Sequence, residues 1–265
     1  MPELPPLHNA VIYNDQDKVN KLIKESSRDE INTALHLAIE YNNLYIYDVL
    51  IENNANINAK DEDGNTPLHL ALIHITDDPE TIIPYNLIKE GAYKEAKDKQ
   101  GQTPLHIAVK YNNNLTVGLL ITEGAYKDAK DINGQTPLHI AVVRDNIDIA
   151  KYLIIMGANK DAKDINGQTP LHIAVKDNNI QMAKYLISKG ANKETADLSC
   201  KTPIHLAFEN NFHDMTNILT NISCGSAAGG KRTMKRRYKK SKKNKKKSTK
   251  KRQSTRKTRK RRQKR

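Results

Sequence analysis

Apolar residues recur along most of the chain in pairs of short clusters that have helical spacing. In one such pair, Leu171, Ala174 and Val175 fall on one face of a short helix, and the apolar residues between 180 and 187 fall on one face of a second. A polar turn separates the two clusters, and Gly190 follows the second, as at a helix that ends in a left-handed residue. The pattern predicts two short antiparallel helices.

The residues before this helix pair predict a turn and a helix start. Asn166 and Gly167 form a dipeptide that tolerates positive φ and favours a hairpin turn. Thr169 can accept a hydrogen bond from an unpaired backbone N–H at the helix start, and Pro170 suits the first helical position. One unit of the chain is therefore predicted as a hairpin loop followed by a helix pair.

The same pattern repeats along the chain. The stretch KDAKDINGQTPLHIAV occurs at 127–142 and again at 160–175, which places the copies 33 residues apart. A helix pair of this size cannot bury its own apolar face, so neighbouring units must stack on one another. The sequence predicts an all-α repeat solenoid of about seven units, each with a histidine at the equivalent position: His8, His36, His69, His106, His139, His172 and His205.

The motif D-x-x-G-x-T-P-L-H-x-A resembles that of ankyrin repeats. It stands here as DEDGNTPLHLA at 61–71, DKQGQTPLHIA at 98–108 and DINGQTPLHIA at 131–141 and 164–174. The resemblance implies an ankyrin-repeat domain over residues 1–224, with β-hairpin loops between helix pairs. Its units are expected at about 6–27, 28–60, 61–97, 98–130, 131–163, 164–196 and 197–223. In compositional style the chain is similar to the ankyrin-repeat proteins of giant DNA viruses.

Two departures from the repeat pattern carry structural expectations. Extra residues around Asp77, Asp78 and Pro79 predict a longer loop between the helices of the third unit. In the last unit Cys200 replaces the expected turn glycine, and the final helix is polar, as suits an end that faces solvent.

The family resemblance also implies where a partner would bind. Ankyrin repeats typically bind through hairpin tips and the exposed side of the first helices, which together form a concave face. Ile132 and Ile165 are the most suggestive positions, since an apolar tip is more useful in an interface than in water; isolated apolar surface residues are nevertheless ordinary, so both interpretations stay open. The implied contact residues are Glu62, Asp63, Lys99, Gln100, Lys110, Tyr111, Ile132, Asn133, Arg144, Ile165, Asn166, Lys176 and Asp177.

The repeated histidines are interpreted as structural. Stacked helices lie about 8–10 Å apart, whereas zinc ligands lie about 2 Å from one metal ion, so one histidine per layer cannot converge on a common site. The resemblance implies that each imidazole bonds to the threonine three residues before it and to loop backbone. The chain contains no nucleophile motif and no phosphate-binding glycine loop. We therefore expect a protein that is not an enzyme and has no metal site or cofactor.

Charge divides the chain into two unlike parts. Of the 44 Lys and Arg residues, 23 lie within residues 231–265, which contain no Asp or Glu. The 30 acidic residues therefore face 21 basic ones in the rest of the chain, a balance of −9. Residues 225–230 read as a flexible Gly/Ser/Ala linker, and the basic segment after them is predicted to be a disordered tail.

The basic tail allows several functions. It could be read by nuclear import receptors, could bind RNA or DNA through its charge, or could act as a solubilising or self-screening segment. An anionic membrane is a weaker option because no apolar anchor accompanies the charge. The candidate import or polyanion contacts are Lys235, Arg236, Arg237, Lys257, Arg259, Lys260, Arg261 and Arg262.

These observations favour an intracellular monomer without a membrane segment. The chain shows no secretory leader and no run of about 20 apolar residues, and its two cysteines fit a reducing compartment. We expect a scaffold that binds an unidentified protein, with a tail that directs it to the nucleus or nucleolus or contacts a polyanion. The alternative is a nucleic-acid-associated protein in which the tail binds RNA or DNA and the repeats tether a partner.

Overall fold

The computed structural model describes residues 4–74 and 82–221. Contacts divide the chain into a unit of residues 1–217 and a second of residues 218–265; within the second, the described residues are the last turn of the final helix. The described residues contain fourteen helices and no strand. The helices are Pro6–Ile12 (α1), Gln16–Leu22 (α2), Arg28–Glu40 (α3), Leu44–Glu52 (α4), Pro67–His74 (α5), Ile83–Lys89 (α6), Pro104–Lys110 (α7), Asn114–Thr122 (α8), Pro137–Val143 (α9), Ile147–Ile155 (α10), Pro170–Lys176 (α11), Ile180–Ser188 (α12), Pro203–Glu209 (α13) and His213–Asn221 (α14).

The helices stack in two parallel rows. Each odd-numbered helix from α1 to α11 packs on the next odd-numbered helix, so the first helices of successive units form one continuous row. Among the second helices, α2 packs on α4, α6 on α8 and α10 on α12. Within each of the first six units the two helices pack on each other. The predicted all-α repeat solenoid is confirmed, and two helices fall within each of the seven expected intervals.

Small residues allow the first helices to approach closely. The four alanines Ala108, Ala141, Ala174 and Ala207 are all fully buried between neighbouring units. Larger apolar side chains such as Leu138 fill the space beside them and are also fully buried. The core is therefore a seam between units that repeats along the array, as stacking of incomplete helix pairs requires.

Two polar residues build the turn between the helices in the first, second, fourth, fifth and sixth units. In the sixth unit Asn178 takes a left-handed conformation (φ 54°), and Asn179 caps α12 by accepting a hydrogen bond from the N–H of Met182 at 3.0 Å. Asn146 caps α10 in the same way, from the N–H of Ile149 at 2.9 Å. Asparagine suits both positions, because it tolerates left-handed φ and its side-chain oxygen satisfies an unpaired helix donor.

The loops that precede the first helices turn sharply without forming strands. In the fifth unit the N–H of Asp131 donates to the carbonyl of Gln135 at 3.0 Å, and the N–H of Gly134 donates to the carbonyl of Asp131 at 3.0 Å. So few cross-turn bonds cannot form a ladder, which is why the expected β-hairpins appear as turns within residues 4–74 and 82–221. The longer loop expected around residues 77–79 lies outside the described residues.

Candidate functional site

The tip of each loop is shaped by one aspartate. In the fifth unit, Oδ1 of Asp131 accepts hydrogen bonds from the N–H groups of Asn133 at 2.9 Å and Gln135 at 2.8 Å. Asp164 makes the equivalent bonds in the sixth unit, both at 2.8 Å. The carboxylate thus replaces missing backbone partners and holds the residues at the tip in one conformation.

Neighbouring tips are joined by backbone hydrogen bonds. The N–H of Ile132 donates to the carbonyl of Gln100, and the N–H of Ile165 donates to the carbonyl of Asn133, both at 3.0 Å. This contact needs glycine at the turn: Gly134 has φ of 68°, and a Cβ there would lie 2.8 Å from the backbone nitrogen of Ile165. The tips therefore form a continuous bonded series along the array.

Three successive tips present an apolar side chain at the same position of the unit. Ile132 is 62% exposed, Ile165 is 57% exposed and Leu198 is 76% exposed. We call these three residues the apolar tip row. Its N-terminal continuation is charged, with exposed Lys99 in the fourth unit and Glu62 in the third. The structure thus places apolar and charged tips in separate parts of one face.

The remaining predicted tip residues divide between backbone and side-chain roles. Asn166 accepts the N–H of Leu198 through its carbonyl at 3.0 Å, as Gln100 and Asn133 do for the preceding tips. The side chains of all three stay exposed. Asp63 is also exposed, and its Oδ1 atom lies 4.0 Å from Nζ of Lys99.

The other predicted contact residues lie at the ends of the first helices. Tyr111, Arg144 and Asp177 each follow the last residue of a first helix and are exposed. Lys110 lies with Nζ 5.6 Å from the centre of the Tyr111 ring, and Lys176 is exposed at the end of α11.

A groove of about 360 Å³ lies between the turns of the fifth and sixth units. Among the predicted contact residues, it is lined by Asp177. The others around it are Val142, Val143, Asp145, Asn178, Asn179 and Ile180.

Four of the repeated histidines, those of the third to sixth units, have both ring nitrogens hydrogen-bonded. Nδ1 of His139 lies 3.1 Å from the backbone nitrogen and 2.8 Å from the hydroxyl of Thr136. Because the backbone N–H can only donate, Nδ1 accepts and the proton resides on Nε2. Nε2 then donates to a carbonyl of the next unit, which is a bond across the seam. The four equivalent bonds are His69 to Gln102 (3.1 Å), His106 to Gln135 (3.1 Å), His139 to Gln168 (3.2 Å) and His172 to Lys201 (3.1 Å).

This environment keeps the imidazoles neutral. Burial lowers the pKa of His139, and its hydrogen bond to Gln168 and the charge of Asp164 oppose that shift only in part. The pKa values of His69, His106 and His172 are lowered by burial in the same way. At these four histidines the predicted bonds to threonine and loop backbone are present, but the loop belongs to the next unit, so they serve the seams between units. The threonine bond was wrong for the first two units: His8 and His36 bond through Nε2 to the carbonyls of Glu30 and Ala59, and Thr33 donates to the carbonyl of Asp29 instead.

The last unit differs from the others at its repeated histidine and at its loop turn. His205 bonds to Thr202 through Nδ1, at 2.9 Å from the hydroxyl, but it is exposed, whereas its four counterparts in the third to sixth units are fully buried. Cys200 takes the place of the turn glycine with φ of 57°. In the earlier units a Cβ at this position would meet the backbone of the next tip, and within residues 4–74 and 82–221 no such tip follows Cys200.

A second series of bonds across the seams was not anticipated from the sequence. One lysine per unit donates from Nζ to the backbone carbonyl of the equivalent residue in the next unit. The lysine series comprises Lys60 to Lys97 (2.7 Å), Lys97 to Lys130 (2.8 Å), Lys130 to Lys163 (2.7 Å) and Lys163 to Ala196 (3.0 Å). The signal for it was the recurrence of these lysines with the repeat and their replacement by alanine in the last unit.

The described part of the chain contains neither a cluster of metal-ligating side chains nor a membrane-spanning helix. No group of three or more His, Cys, Asp or Glu side chains there could hold a metal ion, and no helix there has the length and apolar character to cross a bilayer. The basic candidates Lys235, Arg236, Arg237, Lys257, Arg259, Lys260, Arg261 and Arg262 lie outside the described residues.

Comparisons with known proteins agree with this architecture. The family model for ankyrin repeats in three copies matches residues 7–85, 77–164 and 155–227. The ankyrin repeat-containing protein YGL242C of Saccharomyces cerevisiae is 39% identical over 84 residues, which cover 30% of this chain and 46% of the yeast protein. The ankyrin repeat protein FPV223 of fowlpox virus is 35% identical over 72 residues, which cover 25% of this chain and 50% of the viral protein.

Similarity to solved structures extends over more of the chain. The crystal structure of the ankyrin repeat domain of Bcl-3, a member of the IkappaB protein family, superposes with a TM-score of 0.70 and 27% sequence identity. The match covers 83% of this chain and 99% of that domain. By contrast, the chain spans at most half the length of the yeast and fowlpox relatives. The predicted resemblance to ankyrin repeats, with viral proteins among the relatives, is confirmed.

Proposed function

The chain belongs to the ankyrin-repeat family, and from this premise we propose that it is a non-enzymatic scaffold that captures a protein through its loop tips and first-helix ends. Ankyrin repeats are a general protein-interaction fold. The observation that carries the proposal is the apolar tip row of Ile132, Ile165 and Leu198, which exposes three large apolar side chains in one register.

Preorganisation supports this assignment. The backbone bonds between tips and the aspartate in each loop fix the tips before any partner arrives. Binding therefore has little loop-ordering entropy to overcome, a cost that commonly weakens association. Exposed apolar side chains held in this way gain free energy when a partner removes them from water.

The test is affinity capture with matched variants of the full chain. Asp at Ile132 and Ile165, or Ala at Tyr111 and Arg144, should weaken capture of a cellular protein at least about tenfold. Leu115→Asp is the control, because Leu115 is a 78% exposed apolar residue near the start of a second helix, in α8. Partner capture that is equal for all variants would remove the tip face from the proposal.

A second candidate function rests on the charge of residues 231–265, where 23 of 35 side chains are Lys or Arg. We propose that this segment contacts a polyanion or an import receptor and directs the protein to the nucleus or nucleolus. Nucleic-acid binding of this kind depends steeply on salt. Titrating the 225–265 peptide with RNA and duplex DNA across salt tests it, and no binding at low salt would exclude nucleic acid.

The import role has its own test. Replacing Lys235, Arg236 and Arg237, and the basic residues of 257–262, with Gln should shift a fluorescent fusion from nucleus to cytoplasm. An unchanged distribution would show that these clusters do not direct it. The tip face and the tail are separable, since neutralising the tail should leave capture of the protein partner intact.

A further inference from the structure

The family resemblance implies that the loop tips and the ends of the first helices together form a concave face. We refer to the surface between the apolar tip row and those helix ends as the groove, and it is distinct from the groove between the turns of the fifth and sixth units. In the seventh unit, Nζ of Lys201 lies 2.6 Å from Oε2 of Glu209, so one pair of side chains spans from the loop to the helix end. The groove is thus no wider than two extended side chains, a width that suits the diameter of about 10–12 Å of an α-helix with its side chains.

This bridge closes the groove only in the last unit. In the two preceding units no ion pair joins the corresponding positions within the described residues, so the groove is open there. Those positions are occupied by Gln168 with Lys176 and by Gln135 with Val143.

The spacing of the tips selects the form of the occupant. The Cα atoms of Ile132 and Ile165 are linked by the peptide unit between Ile132 and Asn133, by the carbonyl group of Asn133, and by the 3.0 Å hydrogen bond from the N–H of Ile165 to that carbonyl. These dimensions limit the separation of the two Cα atoms to about 11 Å, and stacked helices lie about 8–10 Å apart. Successive members of the apolar tip row are therefore about 10 Å apart.

An α-helix presents side chains at this interval. Residues seven apart on a helix lie on nearly the same face and about 10.5 Å apart, so one helix can face Ile132, Ile165 and Leu198 in turn. An extended strand presents same-face side chains about 6.6 or 13 Å apart. Neither interval matches the spacing of about 10 Å between members of the apolar tip row. The register thus favours a helix over a strand.

Charge specifies the flank of that helix. Although the 230 residues before the tail are acidic overall, the first-helix ends of the fourth to sixth units carry Lys110, Arg144 and Lys176. None of the three forms an ion pair among the described residues. Lys110 lies against the ring of Tyr111, so Arg144 and Lys176 are the cations at these helix ends that complement acidic side chains of an occupant.

We infer that this groove binds an amphipathic α-helix of a partner protein, with an apolar residue at every seventh position and acidic residues on the flank that faces the first-helix ends. The inference rests on the proposed scaffold function and specifies the partner. The apolar residues contact Ile132 and Ile165, where the groove is open, and the acidic flank contacts Arg144 and Lys176. This arrangement is the helix-in-groove mode of recognition.

The test uses designed peptides and the full chain. The first peptide is a helix of about three heptads with leucine at every seventh position and glutamate on one flank. The second has the same composition with its leucines at every fifth position, and the third is a proline-rich peptide with leucine at every third position. Fluorescence anisotropy in about 0.3 M salt, which screens exposed charges, gives Kd for each peptide.

The expected result is that the heptad peptide binds at least about tenfold more tightly than either of the others. Ile165→Asp should weaken it about tenfold, whereas Leu115→Asp should not change its Kd. Lys176→Glu should weaken binding of the glutamate-flanked peptide. It should strengthen binding of a peptide that carries lysine in place of glutamate on the same flank. The basic tail is the same in every arm and the two helical peptides have the same composition, so attraction of the tail for glutamate cannot produce the difference between those two or the effects of the substitutions.

Several outcomes would overturn the inference. These are equal Kd values for the two leucine spacings, tighter binding of the proline-rich peptide, no effect of Ile165→Asp, or self-association of the full chain through Ile165 in sedimentation. If the peptides fail while tip variants still lose a cellular partner, the helix is wrong and the scaffold function stands. If capture is also insensitive to the tips, both proposals fail.

Discussion

The imidazole of His139 donates a hydrogen bond from Nε2 to the backbone carbonyl of Gln168, 3.2 Å away in the next unit. Its other nitrogen holds Thr136 at the start of the same helix. One side chain therefore fixes both a helix start and the seam to the following unit. Because the stability of a repeat array is approximately a sum of units and seams, this bond should matter more than a local cap alone.

Substitution of His139 by Ala should lower the free energy of unfolding by about 2–4 kcal/mol, since it opens a buried cavity and leaves buried polar groups without partners. His205→Ala is the matched control, because His205 makes the same contacts to Thr202 but is exposed at the end of the array. His205→Ala should lower the free energy of unfolding clearly less than His139→Ala does. Urea unfolding followed by circular dichroism measures both, and equal losses would contradict the role of the seam bond.

Stability should fall on acidification through the range where histidine titrates. The folded-state pKa values of His69, His106, His139 and His172 are lowered by burial, so the unfolded chain binds more protons than the folded array below about pH 6.5. Stability is then fully present above the unfolded pKa and is lost as the pH falls below it. Unfolding free energies measured from about pH 7.5 to about pH 5 should show this decline.

Removing one histidine tests the origin of the decline. His139→Asn should reduce the slope of unfolding free energy against pH by up to about 1.4 kcal/mol per pH unit, the contribution of one proton. A slope that is the same in wild type and His139→Asn would show that other groups cause the decline.

Glycine at the loop turn should be required for contact between tips as well as for its backbone conformation. Gly134→Ala places a Cβ 2.8 Å from the backbone nitrogen of Ile165, whereas Gly157→Ala meets nothing within 4 Å, and both glycines have positive φ. Gly157→Ala should cost about 1–2 kcal/mol from the left-handed backbone alone. Gly134→Ala should cost at least about 1 kcal/mol more in the same unfolding measurement.

In the last unit the reverse change should be tolerated. Cys200→Gly relieves a non-glycine residue at φ of 57° and should leave stability unchanged or raise it by up to about 1 kcal/mol. If Gly134→Ala lowers the free energy of unfolding no more than Gly157→Ala does, the contact between neighbouring tips contributes nothing to stability.

The lysine series should contribute a small stabilisation at each seam. Lys130→Met keeps the aliphatic stem but removes the donor to the carbonyl of Lys163, and because the site is exposed we expect a loss of about 0.5–1 kcal/mol. Lys127→Met is the control in the same loop. If both substitutions have the same effect on unfolding free energy, the hydrogen bond adds nothing to the seam.

Local features of the fold were predictable from the sequence, because they depend on residues close together in the chain. Thr169 and Pro170 mark a helix start, and Gly190 takes the left-handed conformation that its position after α12 suggested (φ 79°). The spacing of the histidines fixed the repeat and hence the stacking. Exposure of Ile132 and Ile165 at the tips followed from the same pattern.

Bonds between units were not predictable in the same way. The acceptors of His139 and Lys130 are backbone carbonyls of the following unit. Because every residue type has a backbone carbonyl, the sequence does not indicate which residue is the acceptor. A lysine that recurs once per unit looks like ordinary surface charge until the neighbouring loop is in place. The open groove beside Lys176 also depends on how units are offset from one another, which periodicity alone does not specify.

The identical stretches 127–142 and 160–175 have a consequence for how the chain can change in length. The seam from His106 to Gln135 offers the same donors and acceptors as the seam from His139 to Gln168, at 3.1 and 3.2 Å. A duplicated or deleted 33-residue segment in the middle of the gene would therefore create no unfamiliar junction. The array can be lengthened or shortened by whole repeat units without any new packing problem to solve.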